Sequence, residues 1–123
     1  MTLQYCCTTH PHALIVAKNE SLSNGLKDML SGIKEFESIG IVQDCLKALD
    51  YINENLPEIV FFDTDVSILE VLNALRTVKA ISHEIQCIVI ADHLGYHALM
   101  TMVGADRILY RGFSENELAG CII

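Results

Sequence analysis

Two aspartates, Asp63 and Asp65, follow the apolar run Ile59-Val60-Phe61-Phe62 and are the residues whose type and spacing most readily suggest chemistry. A carboxylate pair can divide acid and base work between its members or hold a divalent cation. Catalysis needs more, and neither a GxSxG nucleophile motif nor a glycine-rich phosphate loop accompanies them. The seven glycines are dispersed, which argues against a dinucleotide or mononucleotide fold and leaves an enzyme as the weakest functional class. His93 and His97 are four apart and would share a helical face, a geometry that metal sites use. With no third ligand placed to join them they read as solvent-exposed, as do His10 and His12 around Pro11. Cys6, Cys7, Cys45, Cys87 and Cys121 form no CxxC pair and read as reduced, small hydrophobes.

The elements that must position Asp63 come from a chain of 123 residues with 51% hydrophobic content, enough for one core without metal or disulfide. Its formal charge of -8 repels phosphate backbones and anionic lipid, so direct nucleic-acid or membrane binding is not expected. No segment approaches the roughly 20 apolar residues of a membrane span, and Met1 to His12 lacks the basic flank and apolar run of a secretory signal. A cytoplasmic location is the expectation.

Residues 1–11 show no periodicity and read as an irregular arm, leaving residues 12–123 as the domain. Ala13 to Ala17 is a short, continuously apolar run of the kind that strands buried on both faces adopt. Asn19 or Ser21 can cap a helix carrying Leu22, Leu26, Met29, Leu30 and Ile33, with Gly32 helping to end it. Phe36 to Val42 reads as a second strand, and Asp44 caps a helix whose apolar side is Cys45, Leu46, Leu49 and Ile52. Glu58 to Asp63 is the third strand, followed by a helix with Leu69, Leu72, Leu75 and Val78 on one side. Cys87 to Ala91, Tyr96 to Val103, Arg107 to Tyr110 and Ser114 onward complete five strands alternating with five helices. Strands separated by single helices must be mostly parallel, and any site then lies outside their carboxyl ends, near Ala17, Asp63 and Ala91.

The order of elements from about His12 onward resembles the receiver domain of bacterial response regulators. Leu14-Ile15-Val16 resembles that family's first strand, and Leu56-Pro57-Glu58-Ile59-Val60-Phe61-Phe62-Asp63 its lead into a phospho-accepting aspartate. Gly104-Ala105-Asp106, then Leu109-Tyr110-Arg111-Gly112 and Ser114-Glu115-Asn116-Glu117-Leu118, are similar to the LuxR-type subgroup. The resemblance implies a flavodoxin-like, doubly wound α/β sandwich of three layers, with a parallel five-stranded sheet in the order 2-1-3-4-5.

A working site of that family has an acidic pair after strand one that holds Mg²⁺, an accepting Asp after strand three, a Thr or Ser after strand four and a Lys after strand five. The metal gathers phosphoryl oxygens while hydroxyl and ammonium stabilise the new charge. By resemblance Asp63 is the phospho-acceptor candidate, but the acidic pair maps to Ala17 and Lys18, the hydroxyl to Ala91 and the lysine to Arg111. Neither Ala17 nor Lys18 can bind Mg²⁺, so no metal or other cofactor is expected, and only Glu20 and Asp92 remain as nearby acids. Asp65 falls where the family offers a backbone carbonyl to the metal. The aromatic switch position maps to Ile108, and Tyr110 is expected to face the opposite way. Lys18, with Arg111 joining it, could hold Asp63 in a standing ion pair in place of the metal; alternatively Lys18 extends into solvent. The loops after Asp63 and Ala91 are shorter than the family's, so the fourth helix is expected to be reshaped.

These readings imply a degenerate receiver that works through a protein partner or as a homodimer, without a phosphorylation cycle. The alternatives are a weakly phosphorylated receiver using Asp63 and, more remotely, a small α/β enzyme or ligand-binding domain. The short last helix and the LuxR-type resemblance suggest a longer chain with a carboxyl-terminal, DNA-binding output domain.

Overall fold

A computed structural model describes residues 12–92 and 94–122; the expected arm, with Cys6, Cys7 and His10, and also His93, lie outside the described residues. Five parallel strands, β1 (His12–Val16), β2 (Ser38–Val42), β3 (Ile59–Asp63), β4 (Gln86–Ala91) and β5 (Arg107–Tyr110), form one sheet in the order β2-β1-β3-β4-β5. Helices α1 (Glu20–Ile33), α2 (Cys45–Asn55), α3 (Ile68–Ile81) and α4 (His97–Val103) make the four crossovers, α5 (Glu115–Ile122) follows β5, and a 3₁₀ turn, Leu94–Tyr96, precedes α4. This is the flavodoxin-like α/β sandwich of three layers.

Strand alternation divides the core. Leu14, Val16, Val60, Phe62, Cys87 and Val89 pack against α2, α3 and α4, whereas Ala13, Ile15, Ile59, Phe61, Ile88, Ile90 and Leu109 pack against α1 and α5. Each of the central strands is buried on both faces, which is why β1, β3 and β4 read as unbroken apolar runs.

Local signals set the helix starts. Asn19 Oδ1 accepts from Leu22 N at 3.0 Å and Asp44 Oδ1 from Lys47 N at 2.8 Å, so each cap satisfies an amide that has no partner within its helix. Ser114 and Glu117 form a reciprocal capping box at α5, with Glu117 N donating to Ser114 Oγ at 3.1 Å and Ser114 N to Glu117 Oε1 at 2.9 Å. Helix α2 ends where Leu56 takes a left-handed conformation (φ 45°) before Pro57. Gly104 (φ 134°) closes α4, and a Cβ there would lie 2.8 Å from Lys79 Cγ. Lys79 in turn donates to Asp106 Oδ2 at 2.6 Å and to Ile85 O at 2.7 Å, joining α3 to the starts of β4 and β5.

Four expectations need correction. Leu46 is 79% exposed and Leu69 is 69% exposed; the buried sides are Cys45, Ala48 and Ile52 in α2 and Val71, Ala74, Leu75 and Val78 in α3. The rest of each expected side, Cys45, Leu49 and Ile52 in α2 and Leu72, Leu75 and Val78 in α3, does pack against the core. Gly32 sits inside α1, which ends at Ile33 with Lys34 as its cap. Strand β2 begins at Ser38, while Phe36 packs from the preceding loop against the α1 and α5 layer. Tyr110 does not face away from Ile108: residues two apart on a strand share a side, and both lie towards α4.

Candidate functional site

The carboxyl ends of β1, β3, β4 and β5 converge on Asp63, whose side chain is 1% exposed. The parallel register aligns Asp63 with Ile90 and Ala91 with Tyr110, and it carries Ala17, one residue beyond β1, level with Asp63. Arg111 enters from the end of β5, its backbone N–H donating to Ala91 O at 2.8 Å. Its guanidinium meets Asp63 fork to fork, Nη2 to Oδ1 at 2.8 Å and Nη1 to Oδ2 at 3.1 Å. Nε of the same side chain is paired with Asp92. Asp63 Oδ1 also accepts from Asp65 N at 2.9 Å, so both carboxylate oxygens are engaged.

A bidentate, charge-assisted pair of this kind compensates the desolvation of a buried carboxylate far better than a single contact. The hydrogen bonds that Arg111 donates to Asp63 raise its pKa further, against the lowering effect of burial, with Asp92 adding to the rise. The cation is therefore permanent.

Asp65 is turned away from the site centre. Its two oxygens accept from the backbone amides of Lys18 (3.2 Å) and Asn19 (3.0 Å), at the amino end of α1, where a carboxylate also complements the helix dipole. Lys18 contributes that amide; its side chain is exposed, and among the described residues the expected Lys18–Asp63 pair does not form. Alternation explains the outcome, since Ala17 and Asp63 share the side of the sheet facing α1 and α5, and Lys18 points off it. Ala17 and Ala91 are buried and present methyl groups, and Ile108 is half-buried at the switch position.

The residues present do not fit a Mg²⁺ ion. Both oxygens of Asp63 and both of Asp65 are already committed, and Ala17 supplies no oxygen. Among the described residues no group of three or more His, Cys, Asp or Glu side chains is placed to hold a metal. Glu20 and Asp92, the remaining nearby acids, are exposed, and Asp92 is held by Arg111. His97 is found elsewhere, its Nδ1 2.6 Å from Tyr110 Oη with the rings stacked. Sequence reasoning missed this contact, having turned Tyr110 to the opposite side, and it missed the Arg111–Asp92 pair.

No protein-family model matches the sequence, and no curated protein is recognisably similar to it. Solved structures do match. A response-regulator receiver domain from Clostridium thermocellum superposes with a TM-score of 0.80 at 19% identity, covering 91% of this chain and 90% of the other. A DNA-binding response regulator of the LuxR family from Staphylococcus aureus gives 0.80 at 19%, covering 91% and 95%. The receiver domain of a sensor histidine kinase from Pseudomonas aeruginosa, described with a magnesium ion coordinated in its active-site cleft, gives 0.75 at 18%, covering 89% and 91%. The fold of this chain is that of the response-regulator receiver domain.

Proposed function

We propose that this chain is a receiver-fold signalling module, non-enzymatic, that acts through contact with a protein partner or a second copy of itself and without a phosphorylation cycle. The carrying observation is the Arg111 fork on Asp63. In a receiver with the full site, the accepting aspartate needs a free oxygen to attack phosphorus and a metal to gather the phosphoryl oxygens. Here a guanidinium occupies that carboxylate, with no Mg²⁺ ligand at positions 17 and 18.

A contact role is supported by the distribution of apolar surface. The large apolar side chains left exposed among the described residues, Leu46, Leu56, Leu69, Ile81, Tyr96, Leu99 and Met102, all belong to the layer of α2, α3 and α4 or its connections. Helix α4 has no charged residue in a chain of net charge -8, and its Met102 is 82% exposed. Apolar surface gathered on one side of an acidic protein marks a contact face more than a random scatter does. By likeness to the LuxR-family neighbour, described as DNA-binding, we assign any DNA contact to a separate output segment, because the negative charge of this one opposes it.

The test is incubation with Mg²⁺ and a small phosphodonor such as acetyl phosphate, followed by intact-mass measurement. No adduct is expected. A base-labile gain of about 80 Da, one phosphoryl group, that disappears in Asp63→Asn would refute the proposal in favour of a phospho-accepting receiver.

A further inference from the structure

A cleft of about 240 Å³ opens between α1 and the β5–α5 connection. Buried Leu26 and Ile90 form its floor, and the half-buried Leu22, Met29 and Phe113 form its walls. Arg111 is the one charged residue of the lining among the described residues. Three of the five N–H groups of its guanidinium serve Asp63 and Asp92, which leaves two to donate to a further acceptor. Gly25, inside α1, lines the same cleft. Glycine weakens a helix interior, and packing does not call for one here, because nothing lies within 4 Å of where its Cβ would stand. Its effect is to bare a turn of helix backbone to the cleft.

We propose that this cleft binds an uncharged small molecule: a flat, apolar body of about ten non-hydrogen atoms with one hydrogen-bond acceptor directed at Arg111. The size follows from a volume just below that of sites for drug-sized ligands. A flat body can lie on the bared backbone at Gly25 while its edge meets Phe113 and Met29. The charge follows from the neighbours of the guanidinium. Asp63 and Asp92 already bring two carboxylates to one cation, so an anionic head adds a third negative group, and a cationic head meets the guanidinium itself. A neutral carbonyl oxygen meets neither opposition and accepts a charge-assisted hydrogen bond. The cleft lies on the α1 and α5 side of the sheet, away from the exposed apolar side chains of α2, α3 and α4, so ligand and protein partner do not compete for one surface. Such a ligand gives the module an input that needs no phosphoryl chemistry. The inference goes beyond the contact role and does not rest on the absence of a phosphorylation cycle, because binding is read with no phosphodonor present.

The probes are acetophenone, benzoate and benzylammonium, which share a ring and differ in the charge of the head, titrated into the protein and followed by amide chemical shifts. Acetophenone should give saturable shifts at Leu22, Gly25, Leu26, Met29 and Arg111 to Phe113, with a Kd of about 1 mM, the strength expected of a ligand this small. Benzoate and benzylammonium should bind at least about ten-fold more weakly. Gly25→Leu plugs the cleft with a better helix former and should weaken acetophenone by at least about ten-fold, while Gly25→Ala, a smaller plug, gives an intermediate loss. Leu30 and Leu118, which do not line the cleft, should keep their amide shifts in both variants and so report an intact fold. Absence of saturable shifts, equal binding of the three probes, tighter binding of either charged one, or acetophenone binding retained within about two-fold in Gly25→Leu each overturns the proposal.

Discussion

Replacing Arg111 by methionine keeps a long apolar stem but removes the guanidinium, leaving Asp63 at 1% exposure with the Asp65 amide as its remaining donor. Breaking a buried pair by deleting one partner costs about 3 to 5 kcal/mol when the survivor stays charged and dry. The Arg111 side chain is 35% exposed, so water can enter where it leaves, and solvent already screens part of the interaction; a loss of about 2 to 3 kcal/mol is the discounted expectation. Its contact with Asp92, 63% exposed, adds less than about 1 kcal/mol. Asp63→Asn removes the charge that needs compensation and should cost about 1 to 2 kcal/mol. The double variant should be no less stable than Arg111→Met by more than about 0.5 kcal/mol, because the second substitution removes the orphaned charge created by the first. Urea unfolding followed by circular dichroism gives all four stabilities, and the thermal midpoint should move about 4 °C for each kcal/mol. If Arg111→Met loses under about 0.5 kcal/mol, or the two substitutions are additive within about 0.5, the pair does not hold the site together and the argument from it collapses.

Addition of Mg²⁺ with beryllofluoride should produce no saturable amide shifts around Asp63; a response at about millimolar metal or tighter would show that the carboxylates rearrange to coordinate it. Burial, ahead of nearby acids, pushes the Cys45 thiol up to about 11, and burial pushes Cys87 up to about 12, from an ordinary value of 9.0. Above pH 9 the unfolded chain therefore ionises first, so this stability, fully present below that value, is lost as pH rises towards the folded values, by about 1.4 kcal/mol per unit for each thiol. Urea midpoints between pH 8 and about 10.5 should show the slope, and its persistence in a Cys45→Ala, Cys87→Ala variant would assign it elsewhere. Leu56→Gly should stabilise by about 0.5 kcal/mol, the relief of a left-handed leucine exceeding the added chain entropy, since that side chain is 63% exposed; a net loss on thermal unfolding would contradict this.

Much of the architecture was readable because each strand and cap announces itself locally: the double-sided burial of Val60, Phe61 and Phe62 needs an unbroken apolar run, and Asn19 and Asp44 stand one residue before their helices. Helix phase was harder. Cys45-Leu46 and Ile68-Leu69 each offer two apolar neighbours about 100° apart, and only packing against the sheet decides which one is buried. At the site, resemblance placed Lys18 and Arg111 both next to Asp63, and residue type alone does not choose between them. Parity does: counting by two from Ile15 reaches Ala17, from Phe61 reaches Asp63 and from Leu109 reaches Arg111, all on one side, while Lys18 falls on the other. The partner of Asp92 could not be read in this way, because it depends on where the arm of an arginine ends and not on its backbone register.

The committed state of Asp63 also shapes which sequences lie one substitution away. Exchange of Arg111 for a neutral residue strands a buried anion, and an aspartate at the buried Ala17 position adds a second anion beside the first while one guanidinium remains to serve both. A hydroxyl at Ala91 supplies no charge and leaves the fork closed. Each single step towards a metal-binding site thus either passes through a less stable protein or changes nothing, and only concerted changes at several positions lead out. The ion pair acts as a ratchet on the sequence: a site in this arrangement can drift on its surface while its centre is held where it is.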